Sequence, residues 1–120
     1  MPVNERDASH LFDILRAAGK IAKYVEGKKA DDFRTDDLLR DAVERNLGII
    51  GEAARRLSVS FRDEYHDIPW RGVIALRNVL VHEYDSVSGE EIWDIVTVHL
   101  PRLADAIRPL MPPPPSESES

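Results

Sequence analysis

The chain has 120 residues, 42% of them hydrophobic and 32% charged, with no cysteine and a formal net charge of −6. These numbers fit one small domain and exclude two full ones, and the lack of cysteine removes disulfide scaffolds, thiol nucleophiles and thiolate metal sites. No apolar run approaches the roughly 18 residues needed to span a bilayer. Met1 to Asp7 carries both charge signs and lacks the apolar centre of a signal peptide, so a cytoplasmic chain with no membrane contact is expected.

The predicted elements are all helical. Leu11, Ile14, Leu15, Ala18, Ile21, Ala22 and Val25 recur at three- and four-residue steps, which predicts a helix over 9–26 with Asp7 or Ser9 as its cap and Gly27 at its end. A polar connection over 30–34 follows, with Phe33 turned back onto the core. Thr35 is the expected cap of a second helix, with Asp36 and Asp37 in its first turn and Leu39, Val43, Leu47, Ile50, Ala54 and Leu57 on its buried side. Gly48 and Gly51 interrupt that side at a cost in helix propensity, which implies that something packs close. A short helical turn is predicted around 61–66, a helix from Pro69 to about Val81, and a last helix over 88–107 kinked at Pro101. The fold class is therefore all-α, an antiparallel bundle of four to five helices over residues 1–110, with residues 111–120 forming a disordered tail of Pro, Ser and Glu.

The negative charge is unevenly placed. Residues 40–84 carry seven basic and seven acidic groups, and every basic one is an arginine; residues 85–120 carry two basic against seven acidic groups. A broad electrostatic footprint on duplex DNA is excluded, whereas a small arginine-built phosphate site is not.

The chain has no Gly-rich phosphate loop, no GxSxG, no HExxH and no His and carboxylate set at metal-ligand spacing, so neither a metal nor a cofactor is expected. What remains is the segment 75–84, where Arg77, Asn78, His82 and Tyr84 interrupt an otherwise apolar helix. Arg77 and His82 are five residues apart, about 140° around a regular helix, so they serve one site only where the helix ends or where a second protomer completes it. As chemistry, His82 moves a proton at neutral pH while Arg77 clamps a phosphate, which suffices for metal-free RNA cleavage because the ribose 2′-hydroxyl is the nucleophile. The reaction needs an acid and a base and each chain offers one such histidine, which predicts a homodimer. As structure alone, Arg77 and His82 stabilise a helix C-terminus, Asn78 bonds to backbone and Tyr84 anchors the next loop. His10, His66 and His99 read as structural or surface residues, and Trp70 and Trp93 as core. Glu52 reads as a partner for an arginine, with a buried ion pair or simple exposure as equal explanations.

Ile50-Gly51-Glu52-Ala53-Ala54, Ile68-Pro69-Trp70-Arg71, Arg77-Asn78 and His82-Glu83-Tyr84 resemble, in order and spacing, the HepT-like branch of the HEPN superfamily, and the resemblance covers roughly residues 7–110. It implies a HEPN-type helical bundle that dimerises and acts as the ribonuclease toxin of a type VII toxin–antitoxin pair. The family's catalytic Arg and His fall on Arg77 and His82, its polar residue after the Arg on Asn78, and its modified tyrosine on Tyr84. The implied partner is an MntA-type nucleotidyltransferase antitoxin that silences the toxin by AMPylation of that tyrosine. The alternative is a non-catalytic helical dimer that binds a nucleotide or a nucleotidyltransferase through the same residues.

Overall fold

The computed structural model describes residues 3–79 and 89–112. His82 and Tyr84, with the rest of 80–88, lie outside the described residues, as do residues 113–120 of the expected tail.

The described residues form helices and no strand: α1 (Glu5–Val25), α2 (Ala30–Thr35), α3 (Asp37–Arg56), α4 (Val59–Glu64), α5 (Trp70–Ala75), α6 (Gly89–Asp94) and α7 (Leu100–Ile107). A 3-10 turn, Leu76–Val79, continues α5, and a π turn, Ile95–His99, joins α6 to α7. The all-α expectation holds.

The two long helices carry the core. Leu11, Ile14 and Ile21 of α1 and Val43, Leu47 and Ile50 of α3 are completely buried, and α7 adds Ile107. Each such side chain contributes about 1.5–3 kcal/mol through loss of apolar surface to water. Phe33 is buried as expected, but the connection that holds it is a helical turn rather than irregular chain. The Lys29 amide is capped by the Asp32 carboxylate at 2.9 Å, and the Phe33 and Trp93 rings meet with centroids 5.7 Å apart.

Two of the helix starts are capped by residues other than those expected. Asn4, not Asp7 or Ser9, caps α1 by accepting the Asp7 amide at 2.7 Å. Asp7 is instead buried, accepting the Ser58 amide at 2.8 Å and the Ser58 hydroxyl at 2.7 Å. This link places the start of α1 beside the end of α3, which fixes the two helices as antiparallel. The α3 cap is Asp36, which accepts the Leu39 amide at 3.1 Å, rather than Thr35. At the other end of α1 the expected Gly27 is in the left-handed region, φ 73°, where a side chain would be strained.

Two further differences bear on the C-terminal half. Among the described residues, the helix expected to run from Pro69 to Val81 is α-helical over Trp70–Ala75 and then tightens into the 3-10 turn, while Leu80 and Val81 lie outside them. In the last helix the irregularity lies one turn before Pro101, where the Leu100 amide reaches back to the Ile95 carbonyl. The proline ring crowds the carbonyl four residues before it, and a widened turn relieves that crowding without a break.

The feature that positions the site is the contact between α3 and the 3-10 turn. A Cβ placed on Gly51 would lie 2.5 Å from the Arg77 amide nitrogen and 2.9 Å from the Ile74 carbonyl oxygen. Both are backbone atoms, so neither can swing aside. Gly51 is thus where the backbone of Arg77 rests directly on α3.

Two comparisons test this packing by urea unfolding. Gly51→Ala is expected to cost about 1–3 kcal/mol by overpacking, whereas Gly19→Ala, on the open side of α1 with no atom near its Cβ position, should be neutral or gain up to about 1 kcal/mol of helix propensity. Equal effects at the two positions would rule out the close approach. Asp7→Ala leaves the partly buried Ser58 amide unpaired and should cost roughly 1–3 kcal/mol, with Ser58→Ala costing less because the amide keeps its acceptor.

Candidate functional site

Gly51 brings the chain of Arg77 against α3, and the next residue, Glu52, meets the Arg77 side chain. The Arg77 Nη1 donates to Glu52 Oε1 at 3.1 Å. Arg55 and Arg56, in the last turn of α3, reach back to the same carboxylate. Arg55 binds it through two donors, Nε to Oε1 at 3.1 Å and Nη2 to Oε2 at 2.6 Å, and Arg56 Nε donates to Oε2 at 3.0 Å. One carboxylate therefore carries three guanidinium groups, and the cluster has a formal charge of +2.

The Glu52 side chain is one-third exposed, and those of Arg77, Arg55 and Arg56 are 44%, 49% and 59% exposed. The arginines are held at one end and open to solvent at the other. The hydrogen-bonded Arg55 guanidinium is the largest influence on the Glu52 carboxyl. With Arg56 and the charge of Arg77 it outweighs partial desolvation and lowers the pKa to about 2. Glu52 is therefore ionised throughout the neutral range, and it in turn raises the Arg55 pKa.

The structure describes half of the expected site. Arg77 and Asn78 are both exposed on the 3-10 turn that follows α5. The expectations for His82 and Tyr84 fall outside the described residues. Glu52, read from sequence as an arginine partner, has three. Arg55 and Arg56 were not singled out by the sequence, since an arginine three or four residues after a glutamate on a helix is ordinary; only the distant Arg77 gives the pair a further meaning.

Beside the cluster, an open groove of about 810 Å³ runs between α1 and α3, and Glu52 and Arg56 line one part of it together with His10, Asp13, Glu44 and Ile49. His10 is half-buried there, while His66 is exposed and His99 faces Asp94 at 3.2 Å. Trp70 is buried and donates from Nε1 to the Tyr65 carbonyl at 3.0 Å, and Trp93 packs against the core. Among the described residues no group of three or more His, Asp or Glu side chains is placed to hold a metal ion, and no helix is long and apolar enough to cross a membrane.

The Arg77 geometry can be set beside known proteins. Residues 14–110 match the family model described as Ribonuclease HepT-like. The Methanocaldococcus jannaschii protein MJ1380, named as a candidate RNase, is 32% identical over 102 residues, covering 84% of this chain and 94% of that one. A probable ribonuclease HepT from Thermococcus cleftensis is 33% identical over 94 residues, covering 78% of this chain and 86% of its own. A third relative, from M. jannaschii, is named as a gamma-glutamylcyclotransferase and candidate RNase; it is 36% identical over 85% of this chain, and the aligned part spans 46% of its length. No solved structure matches the chain. With a family match over residues 14–110 and relatives that align along most of their own length, the chain belongs to the HepT-like ribonuclease family.

Proposed function

We propose that this chain is an endoribonuclease toxin that needs no metal, and that Arg77 and His82 cleave RNA at the interface of a homodimer. The observation that carries the reading is the Arg77 guanidinium, held at 3.1 Å by Glu52 on the 3-10 turn that follows α5, within a chain of the HepT-like ribonuclease family. A tethered guanidinium is a phosphate clamp that loses little further freedom on binding.

The reaction balances without a cofactor. One His82 takes the proton from the ribose 2′-hydroxyl, the 2′-oxygen attacks the adjacent phosphorus, and the bond to the 5′-oxygen breaks. The second His82 of the dimer protonates that leaving oxygen. The products are a 2′,3′-cyclic phosphate and a free 5′-hydroxyl. Arg77 neutralises the charge that builds on the phosphate oxygens, and Asn78 supports it with a further polar contact.

The regulatory half of the proposal is AMPylation of Tyr84 by an MntA-type nucleotidyltransferase antitoxin, as in a type VII toxin–antitoxin pair. It rests on family membership and on the two-residue step from His82 to Tyr84 in the sequence. An AMP phosphate at that position would compete with RNA for Arg77.

Purified protein should cut bulk RNA equally well with and without EDTA, and His82→Ala or Arg77→Ala should lower the rate by about 10²–10⁴-fold while the fold is retained. Undiminished cleavage by folded His82→Ala would overturn the assignment. Intact mass after co-expression with the antitoxin should show added AMP that Tyr84→Phe abolishes.

The pH dependence follows from the sign of the Glu52 shift. A carboxyl held at about 2 stays charged well below its ordinary value of 4.5 and takes up a proton only in strong acid, so Glu52 contributes no limb to kcat/KM in the neutral range, and an acid limb there is expected to come from the proposed base, His82. Glu52→Gln is therefore expected to lower kcat/KM by about tenfold, by loosening Arg77, and to leave the position of that limb unchanged. A displaced limb would mean that Glu52 itself exchanges the proton.

A further inference from the structure

The Glu52 cluster holds more cation than one scissile phosphate uses. Arg55 and Arg56 are the ordinary neighbours of a glutamate on a helix, and their charge also suits a helix C-terminus. Two observations exceed that explanation. Arg77 joins the same carboxylate from a turn 25 residues further along the chain, so three guanidinium groups converge where one would satisfy Glu52. Each also keeps donors that Glu52 does not take: it accepts only Nε of Arg56 and only Nη1 of Arg77, which leaves both Nη groups of Arg56 and the Nη2 of Arg77 directed elsewhere than the carboxylate. The side chains are roughly half-exposed, and among the described residues the three guanidinium groups and Glu52 sum to two positive charges, in a chain whose net charge is −6.

We propose that Arg55 and Arg56 form a second phosphate position, which receives the RNA backbone phosphate next to the one clamped by Arg77. Glu52 sets the spacing between the two positions, because it is the shared anchor of all three guanidinium groups. The ligand is single-stranded RNA read through its backbone, with no base preference arising from this contact. The inference rests on the ribonuclease reading for the identity of the strand, and on the cluster geometry for the contact itself.

The test is binding of a 2′-O-methyl RNA octamer, which lacks the nucleophilic hydroxyl, followed by fluorescence anisotropy over a range of salt concentrations. The native protein is compared with Arg55→Gln/Arg56→Gln and with Arg55→Lys/Arg56→Lys, each checked for an unchanged unfolding midpoint. The glutamine variant is expected to bind about tenfold or more weakly and to show a salt slope shallower by roughly 0.7–1.4, the value for one to two lost single-strand phosphate contacts. The lysine variant should recover most of the slope. With cleavable RNA, the glutamine variant should raise KM far more than it lowers kcat. An unchanged Kd and slope in the glutamine variant would overturn the proposal, as would a native protein that does not bind the octamer. A native protein that binds with the expected slope yet cuts no RNA would defeat the ribonuclease reading while supporting the phosphate position.

Discussion

Everything around Arg77 depends on how closely α3 and the Leu76–Val79 turn approach at Gly51. The Arg77 amide occupies the space that a β-carbon would need, 2.5 Å from its ideal position. Two helical segments with ordinary side chains at their crossing stand some 8–10 Å apart, which would separate Glu52 from a guanidinium on the opposing turn. Removing one side chain brings the backbones together, and only then does a carboxylate on the next residue fall within hydrogen-bond distance of Arg77. Gly51 thus trades helix propensity for the placement of a charge.

What Glu52 then does is restrain. A free arginine side chain has about 2 kcal/mol of rotamer entropy to lose when it binds an anion. Arg77 has surrendered part of it in folding, as have Arg55 and Arg56: Arg55 is tied to both oxygens of the carboxylate, Arg56 to Oε2 and Arg77 to Oε1. Exposed ion pairs of this kind add little to stability. Their value lies in geometry, since three donors that would otherwise repel and spread are gathered by one central negative charge. That charge persists because the surrounding arginines keep the carboxyl ionised down to about pH 2.

The sequence disclosed these features unequally, for physical reasons. Periodicity made α1 and α3 legible, because Leu11, Ile14, Ile21, Val43, Leu47 and Ile50 must all face one core, and every one is completely buried. Local capping rules were less reliable. Asp7 resembles a helix cap in sequence but is taken by Ser58, 51 residues away, and no local pattern announces such a partner. The six residues of α2 are too few to show a period, so only the burial of Phe33 was readable. Pro101 signalled an irregular helix, and the π turn over Ile95–His99 is how the backbone absorbs it. At the site, Gly48 and Gly51 within the apolar stripe predicted close packing, and Glu52 read as an arginine partner with simple exposure as an equal explanation. Which arginine it was, and that there were three, depended on a tertiary contact that spacing does not encode.

The distribution of charge then limits how such a chain could hold RNA. A molecule with a net charge of −6 and seven acidic groups in its last 36 residues repels a polyanion at a distance, so long-range steering cannot deliver the strand. Attraction arises only inside about a Debye length of the arginine cluster, roughly 8–10 Å at ordinary ionic strength. Binding built on that cluster would be short-ranged, shared among few phosphates and sensitive to salt. Such a contact would suit an enzyme that must release its cut strand, and it would favour cations gathered on one carboxylate over cations dispersed over a face: against a repulsive overall field, two net charges act on a phosphate only if they act together.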